Sequence, residues 1–375
     1  MTEDKLTVNE LFSGIGAQRK ALLRLGIPHE VVGVCEIDKY AIQSYEAIFG
    51  ETKNYGDICT APRLDYADLW TYSFPCQDIS VAGRGKGINE NTRSGLLYQV
   101  QRLLEVAKDE GILPKYLLLE NVKNLVGTKF KSQFDDWLFY LDQLGYVTYW
   151  QVLNAKHYGI PQNRERVFAI SIRKDLNQSF EFPKAEELTK RLKDVLEDEV
   201  DEKYYISQDK VEKFIKNIGI VETPCIAASR GRYIENTDAG EPTEQKLEIN
   251  TQGTTNTITT VQKDNYVVEA KIQQVGNYME TESFGGNPQC GRVYDTDGIS
   301  PTLNTMQGGD RQPKIIEGIR IRKLTPLECW RLMGFDDEDF RKAEASGVSN
   351  TQLYKQAGNS IVVNVLEKIF ENLCK

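Results

Sequence analysis

Residues 7–19 read Thr7-Val-Asn-Glu-Leu-Phe-Ser-Gly-Ile-Gly-Ala-Gln-Arg19. A short β-prone run gives way to a glycine-punctuated turn, which opens a segment with helical periodicity. That succession is the first half of a βαβ unit. The same alternation continues outward to about residue 175. Candidate strands are Thr7–Leu11, Val31–Glu36, Leu69–Phe74, Tyr116–Glu120, Val147–Leu153 and Val167–Ile172. Between them lie amphipathic stretches at Ala17–Leu25, Tyr40–Phe49, Leu96–Lys108 and Phe134–Leu144. The pattern predicts an α/β fold around a parallel sheet.

The composition narrows the chemistry. The chain has 375 residues, 40% of them hydrophobic and 27% charged, enough for a sizeable core and more than one domain. No run approaches the roughly 18 apolar residues that cross a bilayer. The first residues carry no export pattern, which points to a cytoplasmic protein with no membrane partner. Seven scattered cysteines without a C-x-x-C pair, and two histidines, argue against a disulfide framework and a zinc site, so no metal is expected. The G-x-S-x-G elbow of hydrolases and the phosphate loop of nucleotide triphosphatases are both absent. A net charge of −9 gives no general affinity for polyanions, so any nucleic-acid contact must use a local basic surface.

The remainder of the chain changes texture. Residues 182–205 are charge-dense and read as a solvated surface helix or a connector. From about 206 to 318 the chain is rich in Thr, Asn, Gly and Gln, the texture of a separate strand-and-loop domain. Gly231-x-Tyr233-x-Glu235 recurs 45 residues later as Gly276-x-Tyr278-x-Glu280, and the match extends to Gln262 and Gln307. This reads as a duplicated strand–turn unit. From Thr325 the helical pattern returns, ending in the apolar-periodic stretch Ile361–Leu373.

Open α/β sheets place ligands at the carboxyl ends of their strands. After the first strand, Phe12-Ser-Gly14-Ile-Gly16 can bring backbone close to a cofactor. Arg19 stands where the third glycine of a dinucleotide fingerprint belongs, so a plain βα turn accounts for it equally well. Glu36 ends the second strand, where an acid can accept ribose hydroxyls. Asp57, in Gly56-Asp57-Ile58, ends what reads as a third β segment. Three such signals in order favour an adenosine-containing cofactor over a lone capping acid.

The next strand runs into Ser73-Phe-Pro75-Cys76-Gln77-Asp-Ile-Ser80. Most cysteines are inert small hydrophobes. Cys76 leaves the sheet behind a proline and precedes a glycine-rich loop, Val81–Ser94, carrying Arg84, Lys86 and Arg93. Nearby positive charge favours a nucleophilic thiolate, and the loop has the composition of a mobile cationic lid. Glu120 finishes an apolar strand, an expensive place for an acid without a partner. Arg164 and Arg166, two residues apart, can hold carboxylates or phosphates, or form surface ion pairs.

With Phe-Pro-Cys-Gln, Glu-Asn-Val and Gln-x-Arg-x-Arg in that order, the sequence resembles the C5-cytosine DNA methyltransferase family, in its single-chain prokaryotic or phage form. Glu10-Leu-Phe-Ser-Gly-Ile-Gly, Arg93-Ser-Gly-Leu-Leu97, Arg322-Lys-Leu-Thr-Pro-Leu-Glu-Cys-Trp-Arg-Leu-Met-Gly-Phe335 and Gln356-Ala-Gly-Asn-Ser360 extend the match along the chain. The resemblance implies a Rossmann-like S-adenosylmethionine-dependent sheet with a smaller target-recognition domain. It implies that Cys76 attacks cytosine C6, Glu120 assists at ring N3, and Arg164 and Arg166 orient both. Cofactor contacts would fall at Phe12, Gly14, Gly16, Glu36, Ile37, Asp57, Ile58, Pro75, Asn359 and Ser360. Double-stranded DNA would meet Gln77, Ser80, Arg84, Lys86, Arg93, Arg230, Arg232, Arg292 and Arg311.

The resemblance also implies a domain plan. Residues 1–180, completed by 350–375, would form the catalytic and cofactor domain, 200–320 the recognition domain and 320–349 their connector. Ile37 stands where many members carry an aromatic residue, and Ser73 where many carry glycine. Residues 201–320 have a net charge of about −5, so a DNA-reading cleft there must concentrate its bases, including Lys271 and Lys314, on one face. A monomer is expected, with a restriction endonuclease as a functional rather than physical partner. A tRNA cytosine methyltransferase shares these motifs. A silent DNA-binding homologue would not need Cys76, Glu120 and both arginines. An NAD-linked oxidoreductase would leave Phe-Pro-Cys-Gln unexplained.

Overall fold

A computed structural model of the chain describes residues 5–75, 93–205, 225–233, 243–250, 265–269, 273–277, 292–295, 314–315 and 320–374. They fall into two compact units, residues 1–190 with 329–375, and residues 191–328. The stretch 320–349 is thus divided between the units.

The first unit is built on strands β1 (Leu6–Leu11), β2 (His29–Cys35), β3 (Leu69–Tyr72), β4 (Tyr116–Val122), β5 (Tyr146–Asn154) and β6 (Glu165–Arg173). Helices α1 (Ala17–Arg24), α2 (Lys39–Phe49), α3 (Leu97–Asp109) and α4 (Lys131–Gln143) connect them in the predicted order. The sheet order is β2-β1-β3-β4-β6-β5. The first four strands are parallel. On one sheet face, Leu11, Trp70, Tyr72, Leu117, Leu119, Val167 and Ala169 pack with Val100, Leu103 and Leu104 of α3 and Phe134, Trp137 and Leu141 of α4. Full burial of each such side chain is worth about 1.5–3 kcal/mol. The indole N–H of Trp137 donates to Tyr72 Oη at 3.1 Å, so this aromatic pair is buried without an orphaned polar group.

Two expectations need correction. The sheet is not wholly parallel, because β6 runs antiparallel to both β4 and β5. Only ten residues separate β5 from β6, with one turn of 3-10 helix at Ala155–Tyr158. A parallel crossover needs about a dozen residues or more and usually a helix. The short link therefore folds back as a hairpin. Nor does a strand lead to Asp57: Asn54 makes only an isolated bridge to Val34. Gly56, at φ 74°, and the Asn54 side chain, which accepts the Gly56 amide at 2.9 Å, turn the chain there instead.

Residues 182–205 form a connector, with 3-10 turns at Leu192–Val195 and Glu202–Tyr204 and no α-helix. After it, among the described residues, come seven further strands, β7 (Cys225–Tyr233), β8 (Thr243–Asn250), β9 (Asn265–Glu269), β10 (Gln273–Asn277), β11 (Arg292–Asp295), β12 (Lys314–Ile315) and β13 (Arg320–Lys323). They form a four-stranded sheet ordered β13-β9-β7-β8 and a three-stranded sheet ordered β10-β11-β12. The first copy of the 45-residue repeat enters through β7 and the second through β10, in different sheets; the rest of the repeat lies largely outside the described residues. Arg322, at 1% exposure, grips Glu328, at 0%, through two hydrogen bonds of 2.9 and 3.0 Å. The same carboxylate accepts the amides of Thr325 and Glu197. Removing either partner of a buried pair typically costs about 3–5 kcal/mol.

The chain then returns to the first unit through α5 (Pro326–Arg331), α6 (Asp337–Ala345), α7 (Asn350–Asn359) and α8 (Val363–Leu373). Helix α8, the predicted terminal apolar helix, packs against α1. The start of α2 receives α7. Gln356 Nε2 donates to Tyr40 O at 2.8 Å, Ser44 Oγ donates to Gln356 Oε1 at 3.0 Å, and Lys355 pairs with Asp38 at 2.7 Å.

Candidate active site

The carboxyl ends of β1 to β4 and the amino end of β6 lie at one edge of the sheet. The antiparallel direction of β6 puts Arg166 opposite Val122 in the register, so Gln162–Arg166 arrives beside Glu120. Had β6 been parallel, the arginines would have stood at the far edge.

The turn after β1 is left-handed at three of five positions. Gly14 and Gly16 have φ of 56° and 77°, and Phe12, which has a side chain to strain, has 60°. Phe12 N donates to Cys35 O at 2.8 Å, joining the ends of β1 and β2. Glu36 fixes the turn. One of its oxygens accepts Gly14 N at 2.9 Å, and the other accepts the amides of Ile37 and Asp38, each at 2.9 Å. Its carboxylate is thereby aimed and keeps acceptor capacity on the oxygen that holds Gly14. Ile37 beside it is 74% exposed, an apolar side chain held in the open.

Asn54 links Glu36 to the Asp57 turn. Its side chain donates to Glu36 O at 3.0 Å and accepts the amides of Glu36 at 3.2 Å and Gly56 at 2.9 Å. Asp57 Oδ1 accepts Cys59 N at 2.9 Å, and Ile58 is buried in the core. The contacts of α7 with α2 bring exposed Asn359 and buried Ser360 to the same part of the unit. Phe12, Gly14, Gly16, Glu36, Ile37, Asp57 and Ile58 thus cluster around one rim. Ser360 Oγ is turned to Ile361 O, at 3.2 Å.

Beneath Gly16 lies a buried acid. Glu10, at 0% exposure, accepts Arg19 N at 3.0 Å and the Tyr45 hydroxyl at 2.6 Å. It caps α1 in place of Gly16, which has no side chain to do so. Burial pushes the Glu10 carboxyl up to about 6, against the opposing pull of Tyr45 and Arg19.

On the other side of the edge, Glu120 is buried on β4, and Arg166 Nε stands 3.2 Å from its Oε1. Burial raises the Glu120 carboxyl, while the charges of Arg166 and Arg164 oppose that. Arg164 also makes a contact that the sequence did not suggest. Its guanidinium is 4% exposed and donates to Ser360 O at 2.8 Å and Gly358 O at 3.2 Å. Gln162, fully buried, donates to Leu332 O at 2.8 Å. Asn121, buried next to Glu120, donates to Phe74 O at 3.0 Å, fixing the chain just before Pro75.

Asn54, Asn121 and Gln162 hold the candidate residues in place through hydrogen bonds that the sequence did not single out. Asn54 had the local signal of an Asx turn, and the other two sat inside quoted motifs without a role. Cys76, Gln77, Ser80, Arg84, Lys86, Arg311 and Lys271 lie outside the described residues. Arg93 opens a 3-10 helix, Arg230 and Arg232 belong to β7, Arg292 to β11 and Lys314 to β12, each described by backbone alone. Of the cysteines whose side chains are described, burial pushes Cys35 up to about 12 and Cys374 up to about 11, and raises Cys59 as well. None of these three is an activated thiol.

The family model for C-5 cytosine-specific DNA methylases matches residues 6–375. The chain belongs to that family. The orphan methyltransferase M.SPBetaI of Bacillus phage SPbeta is 34% identical, over 98% of this chain and 97% of its own length. The type II methyltransferase M.HhaI of Haemophilus parahaemolyticus is 33% identical, over 97% and 93% respectively. The fold is shared with the S. pombe Dnmt2 methyltransferase, at a TM-score of 0.59 and 22% identity, with 99% of each chain covered. The Entamoeba histolytica methyltransferase EhMeth matches at 0.61 and 18% identity, over 99% of each chain. As a C5-cytosine DNA methyltransferase, this protein has its buried acid–arginine pair and its strained glycine turn on one sheet edge. Among the described residues no helix is long and apolar enough to cross a membrane.

Proposed function

We propose that this DNA methyltransferase moves a methyl group from S-adenosylmethionine to C5 of a cytosine flipped out of a specific double-stranded DNA sequence, with Cys76 as the nucleophile. The observation that carries the reading is Glu120, a buried carboxyl whose charged form is disfavoured, held by Arg166 at 3.2 Å. A carboxyl whose proton affinity is raised by burial is better able to donate to ring N3 of cytosine, which is what addition at C6 requires.

The residues at the rim fit an adenosine-containing donor. Glu36 presents a fixed carboxylate for ribose hydroxyls, exposed Ile37 an apolar face for adenine, and the left-handed turn from Phe12 to Gly16 a close backbone approach. Asp57, Ile58, Pro75, Asn359 and Ser360 would complete the contacts. When bound, S-adenosylmethionine supplies an electrophilic methyl on a sulfonium sulfur.

The Cys76 thiolate adds to C6, forming an S–C6 bond, while the C5–C6 π pair shifts toward C5 and N3 takes the Glu120 proton. The nucleophilic C5 takes up the methyl that S-adenosylmethionine, held at the rim by Phe12, Gly14, Glu36 and Ile37, would supply. A base removes the C5 proton, the C5–C6 double bond reforms as the Cys76 thiolate leaves, and N3 returns its proton to Glu120. Within a stacked duplex this attack is blocked, so the base must be extruded at a cost of a few kcal/mol. Arg84, Lys86, Arg93, Gln77 and Ser80, which follow Cys76 in the sequence, would meet the DNA. Arg230, Arg232, Arg292 and Arg311 would do so from the recognition region.

The enzyme acts as a monomer in the cytoplasm of a prokaryotic cell, host- or phage-encoded, with any restriction endonuclease a functional partner only. Duplexes carrying 5-fluorocytosine at the target test the mechanism, because a fluorine at C5 cannot leave as a proton. A covalent complex should form with S-adenosylmethionine present and be absent in Cys76→Ala. Bisulfite sequencing of DNA from expressing cells should reveal one methylated sequence. Converted DNA alongside methylated tRNA would overturn the substrate.

A further inference from the structure

Arg164 and Arg166 belong to one short motif, yet their side chains serve different elements. Arg166 stands 3.2 Å from Glu120. Arg164 reaches across to a segment about 195 residues later in the chain, where one nitrogen, Nη2, donates to the carbonyls of both Gly358 and Ser360. Those carbonyls flank Asn359. A buried guanidinium is an unusual anchor for a loop: its planar fork is rigid, its charge is permanent, and its hydrogen bonds to carbonyls are the charge-assisted kind. Its own backbone is equally fixed. Arg164 N donates to Asn154 Oδ1 at 3.2 Å, and Arg164 O accepts Ala155 N at 3.0 Å. Gln162, two residues before, ties the same motif to Leu332 O.

We propose that Arg164, besides lending its charge to Glu120, is a positioning residue for the methyl donor. It holds Gly358–Ser360 at a set distance from the Glu120–Arg166 pair, so that the cofactor wall and the base-protonating group are placed by one rigid motif. This rests on the assignment of Asn359 and Ser360 to the cofactor. Both arginines bear on the acid, Arg166 by direct contact, and Arg164 alone also sets the donor wall.

Hydrogen exchange on the ligand-free full chain tests the anchor itself. In Arg164→Met, amides of residues 356–362 should exchange roughly tenfold faster or more, and in Arg166→Met they should not. Titration with S-adenosylhomocysteine tests the consequence. Affinity should fall roughly 10- to 100-fold in Arg164→Met and stay within about twofold in Arg166→Met. If Arg164→Met does not fold, Arg164→Lys carries the test. A single ammonium keeps the charge but loses the fork, so it should loosen 356–362 and weaken binding by about fivefold, less than full removal. Unchanged exchange in the Arg164 variants, or equal loss of affinity in Arg164 and Arg166 variants, overturns the proposal. A wild-type chain that does not bind S-adenosylhomocysteine overturns the cofactor assignment instead, and that appears in the control alone.

Discussion

The two edges of the sheet in the first unit are built on opposite electrostatic terms. At the edge where β1, β3 and β4 begin, Asp68 collects the Thr7 amide at 3.1 Å, the Thr7 hydroxyl at 2.7 Å, the Tyr66 hydroxyl at 2.8 Å and Lys115 at 2.9 Å. Burial pushes this carboxyl up, but Lys115, Thr7 and Tyr66 together hold it at about 2. At the edge where the same strands end, Glu10 and Glu120 have fewer donors than their burial demands, and both are raised. One edge satisfies its charge and stabilises the fold. The other holds two buried acids, Glu10 and Glu120, whose proton affinity is raised by burial.

The comparison breaks first at Glu120. Glu120→Gln should lower kcat by roughly 10²–10⁴-fold, the usual contribution of a positioned acid, and shift Tm by only a few degrees. The amide keeps the shape and removes a charge that burial disfavours. Methylation kinetics alongside a thermal melt decide the matter. A Tm loss with near-normal turnover would mean Glu120 is a structural group like Asp68.

Gly16→Ala comes next. An added Cβ would stand 2.5 Å from a Phe49 ring carbon and 2.7 Å from one of Tyr45, at a φ of 77° that side chains resist. Tyr45 cannot give way without releasing Glu10. Overpacking and backbone strain together should cost about 3 kcal/mol, read by urea denaturation. An unchanged midpoint would show that the turn tolerates a side chain and that its glycine is not structural.

How much of this was legible in the sequence follows from what is local. The ten strands and helices of the first 175 residues follow from periodicities of 2 and 3.6, and the observed boundaries differ by at most about three residues. The direction of β6 was not legible because parallel pairing was carried over from the strands before it, while the ten-residue link that reverses it is a tertiary constraint. Glu36 was readable as a strand-end acid, but its three backbone amides were not, since one of them belongs to a turn 22 residues away. Arg164 illustrates the limit. Its spacing from Arg166 suggested a shared task, and only folding brings Gly358 and Ser360 to it.

Asp68→Asn probes the quiet edge. The folded carboxyl sits near 2, below its ordinary value of about 3.9, so its stabilisation is present above pH 4 and is lost as pH falls toward 2. At neutral pH the variant should lose about 2 kcal/mol after allowing for solvent screening, with kcat unchanged. The acid limb of the wild-type stability curve should flatten in the variant. A fall in kcat at full stability would erase the distinction between the edges.

The smallest effect is the sharpest test of sign. Glu10 titrates near 6 in the folded chain and near 4.3 when unfolded, so the folded state holds its proton more tightly. Its contribution is therefore greatest below pH 4 and is lost as pH rises through about 6, the reverse of Asp68. The difference is about 1–2 kcal/mol. Urea denaturation at pH 5 and 7.5 should show wild-type stability falling by that amount from this group, and Glu10→Gln, which has no proton to lose, should not show the fall. Gln can still accept the Arg19 amide, so the cap of α1 survives and the two curves can be compared directly. Parallel curves would mean that Tyr45 and Arg19 satisfy the carboxylate fully, and that the functional edge is as well neutralised as the structural one.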